Sequence, residues 1–191
     1  KEKADIVIFS DFRHGIFNKL SIPILTSSIK RGIFKVADSQ VATRWGNITD
    51  FKNFDLITPN EREARFSLAD QDANISGLTQ QLNKKTNSKN LILKLGERGI
   101  FGQGKSNRHG FALPSFSKKI VDAVGAGDAL LAYSSLALRA TKSVLISSIL
   151  GALAASCECE KDGNIAIDPS EVNKKIKELE ESINYSVTSK I

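Results

Sequence analysis

The sequence predicts an α/β fold in which a mostly parallel sheet is covered by helices on both faces. Two patterns support this prediction. Short apolar runs rich in β-branched residues alternate with segments of helical apolar spacing in the first half of the chain, an alternation typical of parallel sheets. From residue 100 to about 121 the pattern changes to short strands with turns, which indicates antiparallel pieces at one edge of the sheet.

The composition is that of one compact domain. The chain has 191 residues, of which 41% are hydrophobic and 25% are charged, enough to bury one sizeable core. We therefore expect a single domain over residues 1–182, followed by a polar tail over 183–191. No stretch reaches the apolar length of a membrane span and the first residues do not resemble a signal peptide, so we expect a cytoplasmic protein with no membrane partner.

The charges and cysteines exclude two further classes of function. The net charge is +6, but the Lys and Arg residues are scattered along the sequence rather than gathered into one stripe. This predicts some preference for anionic ligands and no nucleic-acid partner. Cys157 and Cys159 lack the His or Cys neighbours of a metal site, and we expect them to be small buried residues.

The predicted elements follow one another in strand and helix order. Apolar runs at 5–10, 33–37, 55–58 and 91–95 are the predicted strands of the parallel part. Helical spacing and capping patterns predict helices at 18–31, 61–69, 75–86, 129–140 and 144–157, and a last one from Asp168. In such a sheet, ligands bind beyond the carboxyl ends of the strands. The candidate ligand-binding loops are therefore 10–15, 38–44, 59–63, 96–99 and 122–128.

The strongest motif is the segment Asp122-Ala-Val-Gly-Ala-Gly-Asp128. Its small residues allow a close turn into a helix, so that free N–H groups and the positive end of the helix dipole face one anion. A dinucleotide-binding loop is excluded because Leu130 stands where a third glycine is needed. A carboxylate beside a phosphate is typical of a general base for an attacking hydroxyl, and the alternative is that Asp128 only caps the helix.

This segment resembles the second signature of ribokinase-like (PfkB-type) carbohydrate kinases. The resemblance implies a three-layer α/β/α sandwich, with Asp128 as the catalytic base and an anion hole formed by Gly125, Ala126 and Gly127. It also implies transfer of the γ-phosphoryl group of ATP to a hydroxyl of a sugar or sugar phosphate. Family members are longer than this chain, so we expect the amino-terminal part and its β-lid to be missing here.

Two further segments resemble family elements in the same order. The segment Thr58-Pro-Asn60-Glu-Arg-Glu63 is similar to an element that supports magnesium (Mg2+) and phosphates, so the resemblance assigns Asn60 to nucleotide binding and Glu63 to nucleotide and metal binding. The alternative is that both residues only begin a helix. The segment that begins at Lys94 is similar to a phosphate-contacting element, which implies cofactor-binding roles for Lys94, Gly96 and Gly99. Lys94 replaces the usual Thr, and an outward-facing lysine is the alternative.

The first loop resembles a narrower subgroup. Ser10-Asp-Phe-Arg-His-Gly15 is similar to an element of heptose-phosphate kinases of ADP-heptose synthesis, which implies substrate contacts from Asp11, Arg13 and His14. Some of these relatives carry a fused nucleotidyltransferase domain, expected here outside the chain, and a homodimer is compatible with the resemblance. Some family members bind potassium (K+) beside the residue that matches Asp122, which is assigned to cofactor binding.

Two other functions stay open at this point. The chain could be a nucleotide-binding or regulatory module that keeps the kinase fold without turnover. It could also belong to a kinase for a nucleoside or a vitamin, because the visible loops do not define the ring pocket of the acceptor. Measuring ATP turnover against a panel of acceptors distinguishes these functions.

Overall fold

A computed structural model gives the structure of residues 4–40, 47–105 and 107–188. Residues 41–44 of the predicted loop 38–44 and the end of the predicted tail lie outside the described residues. Within the described part of the chain, strands and helices alternate as far as residue 94 and helices follow from residue 126.

One six-stranded sheet organises the described residues, with its strands side by side in chain order. The strands are β1 (Ile6–Asp11), β2 (Phe34–Ser39), β3 (Leu56–Ile57), β4 (Asn90–Lys94), β5 (Ile100–Gly104) and β6 (Asn107–Leu113). The first four are parallel to one another. β5 and β6 are antiparallel additions. The predictions of a mostly parallel sheet and an antiparallel edge are confirmed.

Helices connect or follow the strands in the described residues. They are α1 (Ser21–Ser27), α2 (Glu61–Leu68), α3 (Ile75–Thr86), α4 (Ala126–Thr141), α5 (Val144–Cys159) and α6 (Pro169–Thr188). A short 3-10 turn, Ile48–Asp50, precedes β3, and another such turn, Gly96–Arg98, follows β4.

Three helices depart most clearly from the predicted segments. α1 is shorter than the predicted segment 18–31, because the hydroxyls of Ser27 and Ser28 donate to the carbonyl of Ile24 and compete with continuation of the helix. α4 begins at Ala126, three residues before its predicted start, so that Asp128 stands in its first turn. α6 continues to Thr188, into the predicted tail, since residues 183–188 contain no Gly or Pro to end it.

Alternating side chains of the strands place a core on each face of the sheet. On one face, Leu91 and Leu93 pack in a cluster with Phe51, Phe54 and Leu78, all fully buried. On the other face, Ile92 packs with Val36 and Leu56 and with leucines of α4, the helix that carries Asp128. Helices therefore cover both faces, and the predicted three-layer α/β/α sandwich of the ribokinase-like class is confirmed. None of the helices in the described residues is long and apolar enough to span a bilayer.

Candidate active site

A cavity of about 770 Å³ opens at the carboxyl edge of the parallel strands. The ends of β2 and β4 contribute Asp38 and Lys94, and the segment after β3 contributes Asn60. The start of α4 forms another wall. Nine of the residues selected from the sequence line this cavity: Asn60, Glu63, Lys94, Gly96, Gly99, Gly125, Ala126, Gly127 and Asp128. Segments far apart in sequence therefore meet at one edge, as parallel strands require.

The amino terminus of α4 has no side-chain cap, and it faces the cavity. Gly125 occupies the N-cap position with φ +84°, and no side-chain hydrogen bond caps the helix there. In α2, α3 and α5 the N-cap residues Asn60, Asn74 and Ser143 each accept a bond from a backbone N–H of the first turn. Because the first N–H groups of a helix have no acceptor within it, the start of α4 offers donors and a positive dipole end to an anion in the cavity.

The turn at Gly125 leaves little room for a side chain. A Cβ atom there would lie 2.4 Å from Oδ1 of Asn164 and 2.7 Å from Oε1 of Glu158. Glu158 is 2% exposed, and its Oε1 accepts a hydrogen bond of 3.0 Å from the backbone N–H of Ile165. The last turn of α5 and the loop after it therefore pack closely against the turn that begins α4.

Asp128 lies in the first turn of α4, partly buried in the cavity wall. Burial raises the pKa of its carboxyl group, and the negative charge of Asp38 raises it further. The ammonium group of Lys94 acts in the opposite direction and lowers this pKa. The net direction is upward, which makes the ionised carboxylate a better proton acceptor than an exposed aspartate.

Lys94 points into the cavity, and the alternative of an outward-facing lysine is excluded. Its Nζ atom donates to both carboxylate oxygens of Asp38, each at 3.0 Å, and the two side chains are 16% and 5% exposed. The hydroxyl of Thr58 donates to the same carboxylate at 3.1 Å. A Cβ atom on Gly127 would lie 3.4 Å from Nζ of Lys94, so the ammonium group lies directly beside the start of α4.

Asn60 and Glu63 form a capping box at the start of α2. The side-chain oxygen of Asn60 accepts from the N–H of Glu63 at 2.8 Å. The Glu63 carboxylate accepts from the backbone and amide nitrogens of Asn60, at 2.7 and 2.5 Å. The helix-start function considered from the sequence is thus present. It does not exclude a metal-supporting role, because a carboxylate has about four acceptor sites and both residues line the cavity.

The carboxylates of the cavity do not form a closed metal site. Among the described residues, no group of three His, Cys, Asp or Glu side chains is arranged to hold a metal ion. Glu63, Asp38 and Asp128 nevertheless line the same cavity, together with the amide of Asn60. Such a sparse set of oxygen ligands fits Mg2+, which usually keeps several waters and binds through one or two carboxylates and the phosphates of a substrate.

The two glycines after β4 differ in their surroundings. Gly99 has φ +89°, and a Cβ atom there would lie 2.1 Å from the carbonyl oxygen of Leu113 and 2.5 Å from the carbonyl carbon of Pro114. Gly96 has φ +62°, and a Cβ atom there would have no neighbour within 4 Å. Gly99 is therefore required for the close approach of two backbone segments at the cavity mouth, whereas Gly96 is required only by its backbone conformation.

The residues predicted to bind the acceptor lie beside the cavity rather than in its lining. Asp11 is 3% exposed, and its carboxylate accepts from the backbone N–H of Arg13 at 2.9 Å and from the guanidinium of Arg13 at 2.6 Å. The hydroxyl of Ser39 donates to the same carboxylate. His14 is exposed, and Phe12 is the residue of this loop that lines the cavity. The structure thus pairs Arg13 with Asp11 and leaves His14 exposed.

Asp122, Cys159 and Asp38 differ in their placement relative to the cavity. Asp122 does not line the cavity, and its side chain accepts from the backbone N–H of Val124 at 2.9 Å. Cys159, expected to be a small buried residue, is only half-buried and lines the cavity, whereas Cys157 is buried as predicted. Asp38 begins the loop 38–44 that the sequence predicts to bind a ligand, and the structure places it in the cavity lining, although the sequence assigned it no individual role.

Solved structures with the same fold include ribokinases and a phosphofructokinase. Phosphofructokinase-2 from Escherichia coli in complex with potassium superposes with a TM-score of 0.78 at 19% identity, over 93% of this chain and 58% of that one. Ribokinase from Arabidopsis thaliana complexed with ribose and ATP has a TM-score of 0.73 at 22% identity, over 91% of this chain and 56% of that one. These similarities define the ribokinase-like fold.

The family follows from the sequence match. Residues 31–171 match the model of the pfkB family carbohydrate kinases, and the chain belongs to this family. It is also 26% identical over 187 residues to the bifunctional protein HldE of Sulfurimonas denitrificans, a match that covers 97% of this chain and 38% of the relative. The chain thus spans well under half of the length of that relative. The family prediction is confirmed.

Proposed function

We propose that the protein transfers the γ-phosphoryl group of ATP to a hydroxyl of a sugar or a sugar phosphate, with Asp128 as the general base. One observation supports this function above the others: the uncapped start of α4, Asp128 and Lys94 share one cavity wall. This wall combines donors for a phosphate with a carboxylate that can take a proton, the two requirements of phosphoryl transfer to an alcohol.

Each group of the wall has a distinct role in the proposed reaction. The backbone N–H groups around Gly125, Ala126 and Gly127 stabilise negative charge on the transferring phosphoryl group. Asp128 accepts the proton of the acceptor hydroxyl as the oxygen attacks. Lys94 adds a positive charge beside the helix start, and Asp38 holds its ammonium group in place through two hydrogen bonds of 3.0 Å.

The proposed positions of ATP and Mg2+ follow from the start of α4 and from the residues across the cavity from it. The ATP phosphates would lie between the start of α4 and the turn that contains Gly96 and Gly99, both of which line the cavity. The ribokinase of Arabidopsis thaliana, which has the same fold, forms a complex with ribose and ATP, and this supports ATP as the phosphoryl donor. Mg2+, held through water by Glu63 and Asn60, would neutralise phosphate charge during transfer. A K+ site near Asp122 remains a proposal from the resemblance alone.

The acceptor proposed from the first loop is an anionic sugar. Arg13 is the cation of this loop closest to the buried strand end, and an arginine can bind a phosphate through two parallel hydrogen bonds. Asp11 pairs with one nitrogen of the Arg13 guanidinium, and the acceptor phosphate would bind to its other side. Comparing a phosphorylated sugar with its unphosphorylated form in wild type and Arg13→Ala tests the proposal. Equal weakening of both forms would exclude a phosphate contact.

Turnover by the full-length protein tests the proposed function itself. Wild type should phosphorylate at least one member of a panel of sugars and sugar phosphates, and Asp128→Asn should lower the rate by about 10² or more, while ATP binding stays nearly unchanged. Asp72→Asn, a neutralised and exposed aspartate away from the cavity, is the matched control and should retain full activity. ATP binding without any phosphoryl transfer would instead identify a non-catalytic module, and turnover only with nucleosides or vitamins would place the acceptor in another class.

A further inference from the structure

A second cavity, of about 570 Å³, lies at the opposite edge of the sheet from the candidate active site. The residues around it begin strands instead of ending them: Phe34 starts β2, Asn90 starts β4, and Asp55 immediately precedes β3. The carboxyl-terminal end of α4 closes one side with Leu138. None of its described lining residues belongs to the machinery assigned above.

Cationic side chains dominate this second cavity. Six of them, drawn from four separate segments, line it: Lys30, Arg31, Lys35, Lys89, Arg139 and Lys142. The one carboxylate among the described lining residues is that of Asp55, and it is already occupied. Its Oδ1 atom pairs with the ammonium of Lys89 at 2.7 Å, and its Oδ2 atom accepts from the backbone N–H of Lys35 at 2.8 Å.

Most of the remaining positive charge has no protein counter-ion. Lys30, Arg31 and Lys142 form no ion pair with any described residue. Arg139 reaches only Asp5, at 3.9 Å, and both of these side chains are exposed, so the pair is weak. Cations gathered without counter-ions repel one another, and an anion bound among them would remove this repulsion.

The helix dipole explains only part of the arrangement. Arg139 and Lys142 are at the carboxyl-terminal end of α4, where positive charge is favourable. Lys35 and Lys89 are not near that end in sequence, since they come from β2 and from the residue before β4. The sequence predicted scattered cations, and the sheet instead brings these groups into one concave surface.

We propose that this cavity binds a small molecule with two or more phosphate groups, at a site separate from the kinase centre. The volume is within the range of about 300–1,000 Å³ typical of small-molecule sites. A concave, mainly polar surface, to which Phe34 and Leu138 add apolar patches, suits a compact ligand better than the backbone of a nucleic-acid duplex. Several cations that converge from different segments match a ligand with several adjacent negative charges.

Amide NMR of the chain with inorganic tripolyphosphate as the probe locates the binding. We expect the amide signals of residues 30–35, 89–90 and 139–142 to shift together, with one dissociation constant. Signals of residues 125–128 can shift as well if the probe also enters the candidate active site, but with their own dissociation constant. Shifts confined to residues 125–128 would overturn the proposal.

Matched charge-removal variants test whether the cavity itself, and not the net charge, is responsible. Lys30→Gln with Lys142→Gln should weaken the binding at residues 30–35 by about tenfold or more, since each substitution removes a cation that can donate to the phosphates. Lys174→Gln with Lys177→Gln removes the same charge from exposed positions of α6, which contributes no residue to the cavity lining, and should change it less than about twofold. Equal weakening by both pairs would overturn the proposal. Tight binding of a DNA duplex with no binding of tripolyphosphate would also overturn it, in favour of a nucleic-acid surface.

Discussion

Replacing Gly125 with alanine should destabilise the protein more than the same change at Gly163, although the two glycines have nearly the same φ angle. Their φ angles are +84° and +81°. A Cβ atom at Gly163 would have no neighbour within 4 Å, whereas at Gly125 it would meet Glu158 and Asn164. Gly163→Ala therefore measures only the free-energy cost of a left-handed backbone for alanine. Gly125→Ala measures this cost together with the cost of the steric clash of the new Cβ atom with its neighbours.

The size of the difference follows from which neighbour can move. Left-handed backbone costs an alanine about 1–2 kcal/mol, and the reduced entropy of the unfolded chain offsets part of this, so Gly163→Ala should cost about 1 kcal/mol. Asn164 is exposed, and its amide can rotate away from a new Cβ atom. Glu158 is 2% exposed, with its Oε1 atom bonded to Ile165. Displacing it should add about 1–3 kcal/mol, the usual cost of overpacking.

Urea unfolding followed by circular dichroism measures both variants. With a slope of about 2 kcal/mol per molar urea, the midpoint should fall by about 0.5 M in Gly163→Ala and by about 1–2 M in Gly125→Ala. The slope should stay the same in all three proteins, so that the midpoints report stability. Equal midpoints for the two variants would show that the buried carboxylate of Glu158 does not pack against the start of α4, and would refute this account of the turn.

Three further outcomes are expected. Gly99→Ala should reduce the free energy of unfolding by more than the roughly 1 kcal/mol expected for Gly96→Ala, because only at Gly99 would a Cβ atom meet another backbone segment; equal losses in urea unfolding would contradict this. Lys94→Gln should move the acid limb of the pH–rate profile to higher pH, since Asp128 must be ionised to act as the base and Lys94 lowers its pKa. Neutralising Asp38, which raises the same pKa, should move the limb to lower pH. Shifts in the same direction would disprove the assignment of Asp128 as the base. Glu63→Gln should cost about 1–3 kcal/mol of stability, because an amide NH2 donor replaces one of the two carboxylate oxygens that accept separately from Asn60, and should raise the magnesium concentration for half-maximal activity; an unchanged magnesium requirement would leave it with capping alone.

The order of elements and the start of α4 could be predicted from the sequence because both depend on local patterns. Apolar runs of β-branched residues form strands, and helical spacing predicts amphipathic helices, within stretches of a few residues. The segment from Asp122 to Asp128 also carries its information locally, since close small residues before an apolar helix allow the turn that exposes N–H groups. The residues of this motif accordingly line the cavity, with the exception of Asp122.

The orientation of side chains at the site depended on the tertiary structure. The sequence left two directions open for Lys94, and only the parallel alignment of β2 with β3 and of β3 with β4 brings its ammonium group to Asp38, 56 residues away in the chain. The role of Asn60 and Glu63 was similarly open, and the capping geometry shows that one function of the pair is structural. Which way a long side chain turns depends on neighbours distant in sequence, which a local pattern does not contain.

What the sequence by itself determined is therefore the class of fold, the family and the set of loops that meet at the carboxyl edge. What only the tertiary structure decided is how charges from distant segments combine. Lys30, Lys89 and Lys142 are far apart in the chain, yet the strand starts and the end of α4 bring them to one cavity. The packing of Glu158 against Gly125 likewise joins two segments that are distant in the chain. Both depend on the register of strands and the docking of helices, which are set by the whole core and not by any one segment.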